Sequence, residues 1–336
     1  MARLNILITA ASRRVALVRG FQRALLRPNT TGEVIVTDVN PLSPAVHIAD
    51  RAYRVPFSNE PGYLDEIRFI CESQGIGLVV PTIDDEVPLF AAHRAEFEAA
   101  GVRVAVPSRR TAEVCVDKYA TSRRLRMAGV AVAETWLPAR LPDDLTYPLF
   151  IKPRDGRGGV QAFAVRNIEE LTFFLGYVHN PVVQRYLDGP EFTLDLLCDF
   201  DGRPLSVVPR ERVVIRSGVI DRGRTVNDPA LISLALSCAR VFSFAGAVNI
   251  QCRVVRGVPT VFEINPRFAG GIPLTLAAGA DFPGMLVDLA LNRSVPPSIG
   301  AFKSELWMSS FETSVFLDQP DQALQPCPRL AAAEVA

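Results

Sequence analysis

The first hundred residues alternate short, almost wholly apolar runs with stretches whose apolar positions recur every three to four residues. The runs are LNILITA, EVIVTD, GLVVPTI and VRVAV, and between them the spacing predicts helices over Val15 to Leu26, near Tyr63 to Ser73 and near Val87 to Ala100. Strands apolar on both faces, separated by amphipathic helices, describe a parallel sheet covered on both sides, a Rossmann-like unit. After Pro107 the pattern changes: one helix is expected over Arg110 to Ala128, with Asp117 and Lys118 near its centre, and a Pro-dotted connector runs from Leu137 to Pro148. YPLFIKP, a Gly-rich turn, QAFAVR and a helix from Ile168 to His179 then predict a small α+β lobe. VVQRYL, EFTLDLLCDF, PLSVVPRERVV, a helix from Pro229 to Phe244, GAVNIQCRVV and PTVFEINPRF predict a larger antiparallel lobe with helices. The fold class is thus α/β followed by α+β, divided as 1–112, 113–183, 184–317 and a loosely held tail rich in Pro, Gln and Ala, 318–336.

The length of 336 residues suits two or three structural units, and 49% hydrophobic residues supply a substantial core. Lys plus Arg equals Asp plus Glu at 36 each. No global field then favours nucleic acid or an anionic membrane, any anion site must be built locally, and small molecules are the expected partners. The six cysteines, at 71, 115, 198, 238, 252 and 327, have no C-x-x-C pair and no spacing for zinc or a disulfide framework. They read as buried or neutral thiols of a reducing cytoplasm. Leu4 to Ala11 is short and runs at once into Ser12, Arg13 and Arg14, which suits a strand and turn better than a signal peptide. Nowhere does an uncharged apolar run reach the ~18 residues of a membrane span.

A first strand, a helix and an acid ending the second strand, Asp38, are also what a dinucleotide site contains. The first turn, TAASRR, lacks every glycine that would let a backbone approach a pyrophosphate, which opposes that reading and a dinucleotide-dependent oxidoreductase with it. Asp38, Asn40, Asp84, Asp85 and Glu86 follow strands two and three, where open α/β sheets hold ligands. They read equally as substrate groups or as solvated loop tips. His47, His93 and His179 are scattered, with no nucleophile in a recognisable motif, so a hydrolytic triad is not expected.

The chemistry concentrates in GAVNIQCRVVRGVPTVFEINPRFAGG, residues 246–271. Two strands joined by a turn at Arg256 to Pro259 would lay Gln251 across from the Glu263 region, and Glu263 and Asn265, two apart, share a strand face. One carboxylate plus two amide oxygens is a set that Mg²⁺ accepts when phosphate oxygens and water fill its other positions. Arg267 follows directly, a fixed cation where a transferring phosphoryl group would need one.

These residues resemble the ATP-grasp superfamily, in the branch close to the carbamoyl phosphate synthetase large subunit, over roughly residues 1 to 300. The resemblance implies an N-terminal pre-ATP-grasp domain, a two-lobed ATP-grasp domain, and ATP with two divalent metals between the lobes. On it, Gln251 and Glu263 would hold one Mg²⁺ and Glu263 with Asn265 the other, with Mn²⁺ as a substitute, and Arg267 would touch the phosphates or an acyl phosphate. In PLFIKPRDGRGGV, Lys152 looks like the family lysine at adenine and α-phosphate. Gly156, Gly158 and Gly159 look like the phosphate lid, their amides free to wrap oxygens. Arg154, Asp155 and Arg157 replace the small hydroxyl residues usual there. Lys118 looks like the family's earlier basic residue at the phosphates; without the other motifs it reads as a solvated helix lysine.

In VVQRYLDGPEFTLD, Gln184, Tyr186 and Leu187 would lie along the adenine edge, and Glu191, seven past Gln184, would accept the ribose hydroxyls. Many relatives have Glu where Gln184 stands, and Asp195 reads as structural. Arg210 and Arg212 share a strand face and match arginines near the γ-phosphate and carboxylate substrate, whereas Arg216 and Arg222 read as a hydrated loop. The implied activity is an ADP-forming carboxylate–amine or carboxylate–thiol ligase working through an acyl phosphate on small-molecule substrates. The alternative is a non-catalytic ATP-binding regulatory module. Homodimers are common among such ligases.

Overall fold

The computed structural model of the chain describes residues 1–156, 158–319 and 324–326. Its N-terminal sheet is wholly parallel and runs, in order, Arg51–Arg54, Val34–Asp38, Asn5–Thr9, Ile76–Pro81 and Arg103–Val104. Arg51–Arg54 is a strand the apolar pattern does not announce; its residues are recruited by pairing with Val34–Asp38. Gln325–Pro326 adds a sixth, parallel strand at that edge, and Leu324 is buried. Part of the segment expected as a loose tail is therefore docked here; residues 320–323 and 327–336, with Cys327, lie outside the described residues.

Strand alternation sorts the core. Ile6, Ile8, Val34, Val36, Leu78 and Val80 face one way, and Leu7, Ile35 and Val79 the other. The second face is closed by the helices Tyr63–Ser73 and Glu86–Ala99. The first is closed by Val15–Leu25 and continues unbroken into Leu197, Leu205, Val208, Ala247, Phe268 and Phe282 of the C-terminal half. One apolar core thus joins the parallel sheet to the large lobe. Because such burial is the dominant favourable term in folding, it holds the two units together as one body.

The helix expected over Arg110 to Ala128 is two helices, Arg109–Val116 and Lys118–Met127. They break at Asp117, which takes an extended conformation so that its carboxylate can accept from the amides of Tyr119 and Ala120, each at 3.0 Å. Aspartate favours this capping position over a helix interior. Lys118 therefore opens a helix instead of sitting mid-helix.

The small lobe is an antiparallel sheet ordered Phe163–Val165, Leu149–Pro153, Pro181–Arg185 and Thr135–Trp136, backed by the helix Ile168–Tyr177. The large lobe is a second antiparallel sheet, ordered Val258–Asn265, Gly246–Val255, Glu191–Cys198, Pro204–Arg216, Val219–Thr225 and Trp307–Ser309. One of its faces packs Leu194, Leu196, Ile250, Cys252 and Ile264 against the helix Pro229–Val241. Among the described residues no helix is long and apolar enough to cross a membrane.

Candidate active site

A two-residue turn, Arg256 and Gly257, joins Gly246–Val255 to Val258–Asn265 with both residues at positive φ, 47° and 80°. That left-handed pair matches the twist of a tight hairpin and sets the register next to the turn, Val255 opposite Val258, and a bulge between Cys252 and Gln251 then shifts it by one residue. Gln251 then lies opposite Glu263, and Asn249 opposite Asn265. Directly opposed residues present their side chains on one face, so four acid or amide side chains form a block. The next strands extend it: Thr193 and Arg210 continue the Gln251 row, and Asp195 continues the Asn249 row.

Lys152, delivered by Leu149–Pro153, meets this block. Its Nζ donates to the carbonyl of Phe262 at 3.1 Å and lies 3.4 Å from Glu263 Oε2. Asn265 donates to the other carboxylate oxygen at 3.1 Å. Burial lowers the Lys152 pKa, with Glu263 opposing. Burial likewise pushes Glu263 up, but the charges of Lys152 and Lys118 and the bonds from Asn265 and Lys152 outweigh it, and its carboxyl is held below the usual value. The carboxylate lies against Lys152, and the charge of Lys118 also favours its ionised form.

Lys118 donates to the carbonyl of Gly156, so the helix start and the glycine turn are tied together; Arg154 pairs with the capping Asp117 beside them. A side chain on Gly156 would strike Pro153, 2.8 Å away, and Gly158 and Gly159 lie at φ of 67° and 71°. All three glycines are thus required by the turn itself. Its far side rests on the turn at Gly218, where an added Cβ would lie 3.2 Å from the Gly158 carbonyl. Arg157 lies outside the described residues.

The remaining expected residues are placed unevenly. Gln184 is buried at the start of the connection between the lobes, its amide donating to Thr135 at 2.8 Å, and Tyr186 and Leu187 follow half-buried. Glu191 begins its strand, but both carboxylate oxygens accept from arginines, Arg212 and Arg253, at 2.7 Å each. Arg212 also donates to Gly218. Arg210 is 1% exposed, its fork closed on Asp195 at 2.7 and 3.0 Å, and Thr275 donates to the same acid. Arg210 and Arg212 do share a face, yet in this state each is engaged by an acid of its own chain. So is Arg267, which grips Asp84 through Nε at 2.9 Å and Nη2 at 2.6 Å while Nη1 donates to Phe268. That contact ties the end of the strand Val258–Asn265 to the loop after Ile76–Pro81.

Two of the residues that read equally as substrate groups or as solvated loop tips are not at the surface. Asp38 is buried and accepts from the amides of Ser12 and Asn40. Glu86 is buried at the start of a helix, accepting from Thr9 at 2.7 Å and from Tyr63. Burial pushes its pKa up to about 7 against those bonds. Residues the motifs did not announce are Asn249, Arg253 and Arg14. Asn249 had a signal in N-x-Q, two residues before Gln251; the other two are visible only through contacts distant in sequence.

The donor set fits a hard cation that keeps water and phosphate oxygens as its other ligands. One carboxylate and amide oxygens cannot cage an ion alone, and among the described residues no group of three or more His, Cys, Asp or Glu is placed to do so. Asn249 Oδ1, buried without a partner, is a further acceptor in the same block.

Comparison with known proteins agrees with this layout. Residues 178–313 match the family described as ATP-grasp in the biosynthetic pathway with Ter operon, and residues 6–105 match the PylC-like N-terminal domain. The carbamoyl phosphate synthase large chain of Thermomicrobium roseum (strain ATCC 27502 / DSM 5159 / P-2) is 25% identical over 309 residues, 84% of this chain and 27% of that one. The chain spans about a quarter of the length of such curated relatives. Among solved structures, the biotin carboxylase domain of Hydrogenobacter thermophilus 2-oxoglutarate carboxylase, with MgADP and bicarbonate, superposes with a TM-score of 0.70 at 18% identity, covering 90% of this chain and 73% of that one. L-amino acid ligase from Bacillus licheniformis does so at 0.67 and 19%, covering 86% and 74%. The chain therefore carries an ATP-grasp domain behind a PylC-like N-terminal domain.

Proposed function

We propose that this ATP-grasp chain is an ADP-forming ligase that activates a small-molecule carboxylate as an acyl phosphate and passes the acyl group to an amine or thiol. The observation that carries the reading is Glu263, flanked by Gln251 and Asn265 and faced by Lys152 at 3.4 Å. Gln251, Glu263 and Asn265 would hold Mg²⁺, or Mn²⁺ in its place, which neutralises phosphate charge when bound. Lys152 and Lys118 would bind the phosphates, the turn at Gly156, Gly158 and Gly159 would wrap them and exclude water, and Gln184 to Leu187 would border the base. A carboxylate oxygen of the substrate takes the γ-phosphoryl group and ADP leaves. The nucleophile's lone pair then attacks the acyl carbon, and the carbon–oxygen bond to phosphate breaks. Positioning and charge suffice, and no side chain need become covalently attached.

The five described cysteines are all free and buried, in keeping with a cytoplasmic protein, and a homodimer is compatible with the reading. The test incubates the protein with ATP, Mg²⁺ and pairs drawn from the L-amino acids and simple amines and thiols. ADP and phosphate formed only with an acid present support it; AMP and pyrophosphate overturn it. A second reading, a non-catalytic nucleotide-binding module, is favoured by the engagement of Arg210 by Asp195 and of Arg267 by Asp84. It requires a nucleotide-dependent rise in melting temperature with no ADP formed under any pairing.

A further inference from the structure

The loop that leaves the first parallel strand is built against the grain of its own residues. Ala10 and Ser12 both occupy the left-handed region, at φ of 46° and 44°, in a loop without glycine. Such conformations cost roughly 1–2 kcal/mol each for ordinary residues and concentrate at binding sites, where the surroundings enforce them. Here the enforcing contacts are visible: the Ser12 amide donates to Asp38 at 2.7 Å, Ala11 donates to the Thr37 carbonyl and Ala45 donates to the Ser12 carbonyl. The result is Arg14 at the N-cap of the helix Val15–Leu25, at the carboxyl end of the sheet, with its side chain folded inward.

Arg14 donates through Nη2 to the Thr82 carbonyl at 3.1 Å, but its Nη1 is sealed from solvent without a partner. A buried guanidinium nitrogen is rarely left so, because the lost hydrogen bonds to water are not replaced. The charged groups that act on it do not supply what is missing. Arg267 is a second cation, and Asp84, two residues past Thr82, already gives both oxygens to Arg267. Burial and the Arg267 charge hold the Arg14 pKa down to about 10, with Asp84 opposing. Two arginines thus share one carboxylate beside a helix start that adds further positive potential.

We propose that Arg14, in the loop Ala10–Arg14, binds an oxyanion of the small-molecule substrate, a carboxylate or a phosphate, beside Arg267 at the junction of the parallel sheet and the metal-bearing hairpin. Assigning that anion to the substrate rests on the ligase reading; the anion site itself does not. Arg267 lies two residues past Asn265, so an anion held by Arg14 places the attached molecule next to the acid–amide block. Since Nη1 is closed off from solvent, the anion enters by displacing the side chains around it, and its binding registers as added stability.

The experiment measures melting temperature of the full chain against sodium succinate and, separately, inorganic phosphate, each with and without MgADP, for the wild type, Arg14→Gln and Arg14→Lys. The wild type is expected to be stabilised by one of the two anions, which names the source. Arg14→Gln should weaken the apparent affinity roughly tenfold or more, and Arg14→Lys less, as loss of a charge-assisted fork implies. Equal anion shifts in the wild type and both variants, or no shift in the wild type with either anion, overturn the site. The MgADP shift is expected to be the same in all three proteins. Its absence in all three would sink the nucleotide reading while leaving the anion result standing, so the two failures are distinguishable. If Arg14→Gln does not fold, Arg14→Lys, which keeps the charge without the fork, decides.

Discussion

Lys152 and Glu263 come from different lobes, 111 residues apart, and meet with Nζ 3.4 Å from Oε2, both largely shielded from water. The pair is unequal: Glu263 has Asn265 and the charge of Lys118 besides, whereas burial lowers the Lys152 pKa and Glu263 is its main counter-charge. Removing the acid should therefore cost more than removing the lysine. Glu263→Gln is expected to lose about 3 kcal/mol, the low end for breaking a buried pair, and Lys152→Met roughly half of that. Urea denaturation of both variants checks the order. Both should also abolish Mg²⁺-dependent nucleotide turnover, and a Glu263→Gln protein that still forms ADP at the wild-type rate removes the acid from the site.

Glu86 gives a pH signature. Burial pushes its carboxyl from 4.5 up to about 7. A raised pKa means that the folded chain favours the protonated acid. The associated stability is complete below about 4.5 and disappears as the pH rises through 7. Glu86→Gln, neutral throughout, should lack this slope and exceed the wild type at pH 8 by up to about 3 kcal/mol, at about 1.4 kcal/mol per pH unit. Urea midpoints at intervals from pH 4.5 to 8.5 measure the difference. Parallel curves would mean that Glu86 does not titrate in that window.

How much of this was legible beforehand follows from the range of the interactions. The hairpin could be read because period-two alternation and an Arg-Gly turn are local, and they bring Gln251 to the Glu263 region; the one-residue shift beyond Cys252 that sets it directly opposite Glu263 was not legible. The glycine turn could be read because Gly156 answers to Pro153, three residues away. The break at Asp117 was hidden by a helical pattern that runs through it; capping chemistry overrode periodicity. The partners of the arginines were invisible, since Arg267 finds Asp84 across 183 residues and Arg212 finds Glu191 across 21. Pattern identifies the residue types at the site, while tertiary contact decides which of them are free.

Gly156 separates steric need from backbone need. An alanine there meets Pro153, whereas Gly129, at φ 72°, has nothing within 4 Å of an added Cβ. Gly129→Ala should cost only the left-handed strain, about 1 kcal/mol, and leave nucleotide binding alone. Gly156→Ala should shift the turn, break the bond from Lys118 and weaken MgADP binding roughly tenfold, about 1.4 kcal/mol. Equilibrium binding of MgADP to the two variants settles it; equal affinities would detach the turn from the phosphates.

Arg267 and Asp84 provide the last test, because they decide whether an expected catalytic cation is free to act. Both side chains are about 15% exposed, and the two guanidinium–carboxylate bonds at 2.9 and 2.6 Å form a fork. If the pair ties the hairpin to the parallel sheet, Arg267→Ala and Asp84→Ala should each destabilise the chain and the double variant should lose much less than their sum. A coupling of about 1–3 kcal/mol is the range for contacting residues in one network. Activity divides the roles. Asp84→Asn, which keeps shape while releasing the arginine, should preserve ADP formation if Arg267 serves the phosphates, and Arg267→Lys should then lose more activity than stability. A coupling near zero, together with Arg267→Lys turning over like the wild type, would leave Arg267 neither tie nor phosphate ligand.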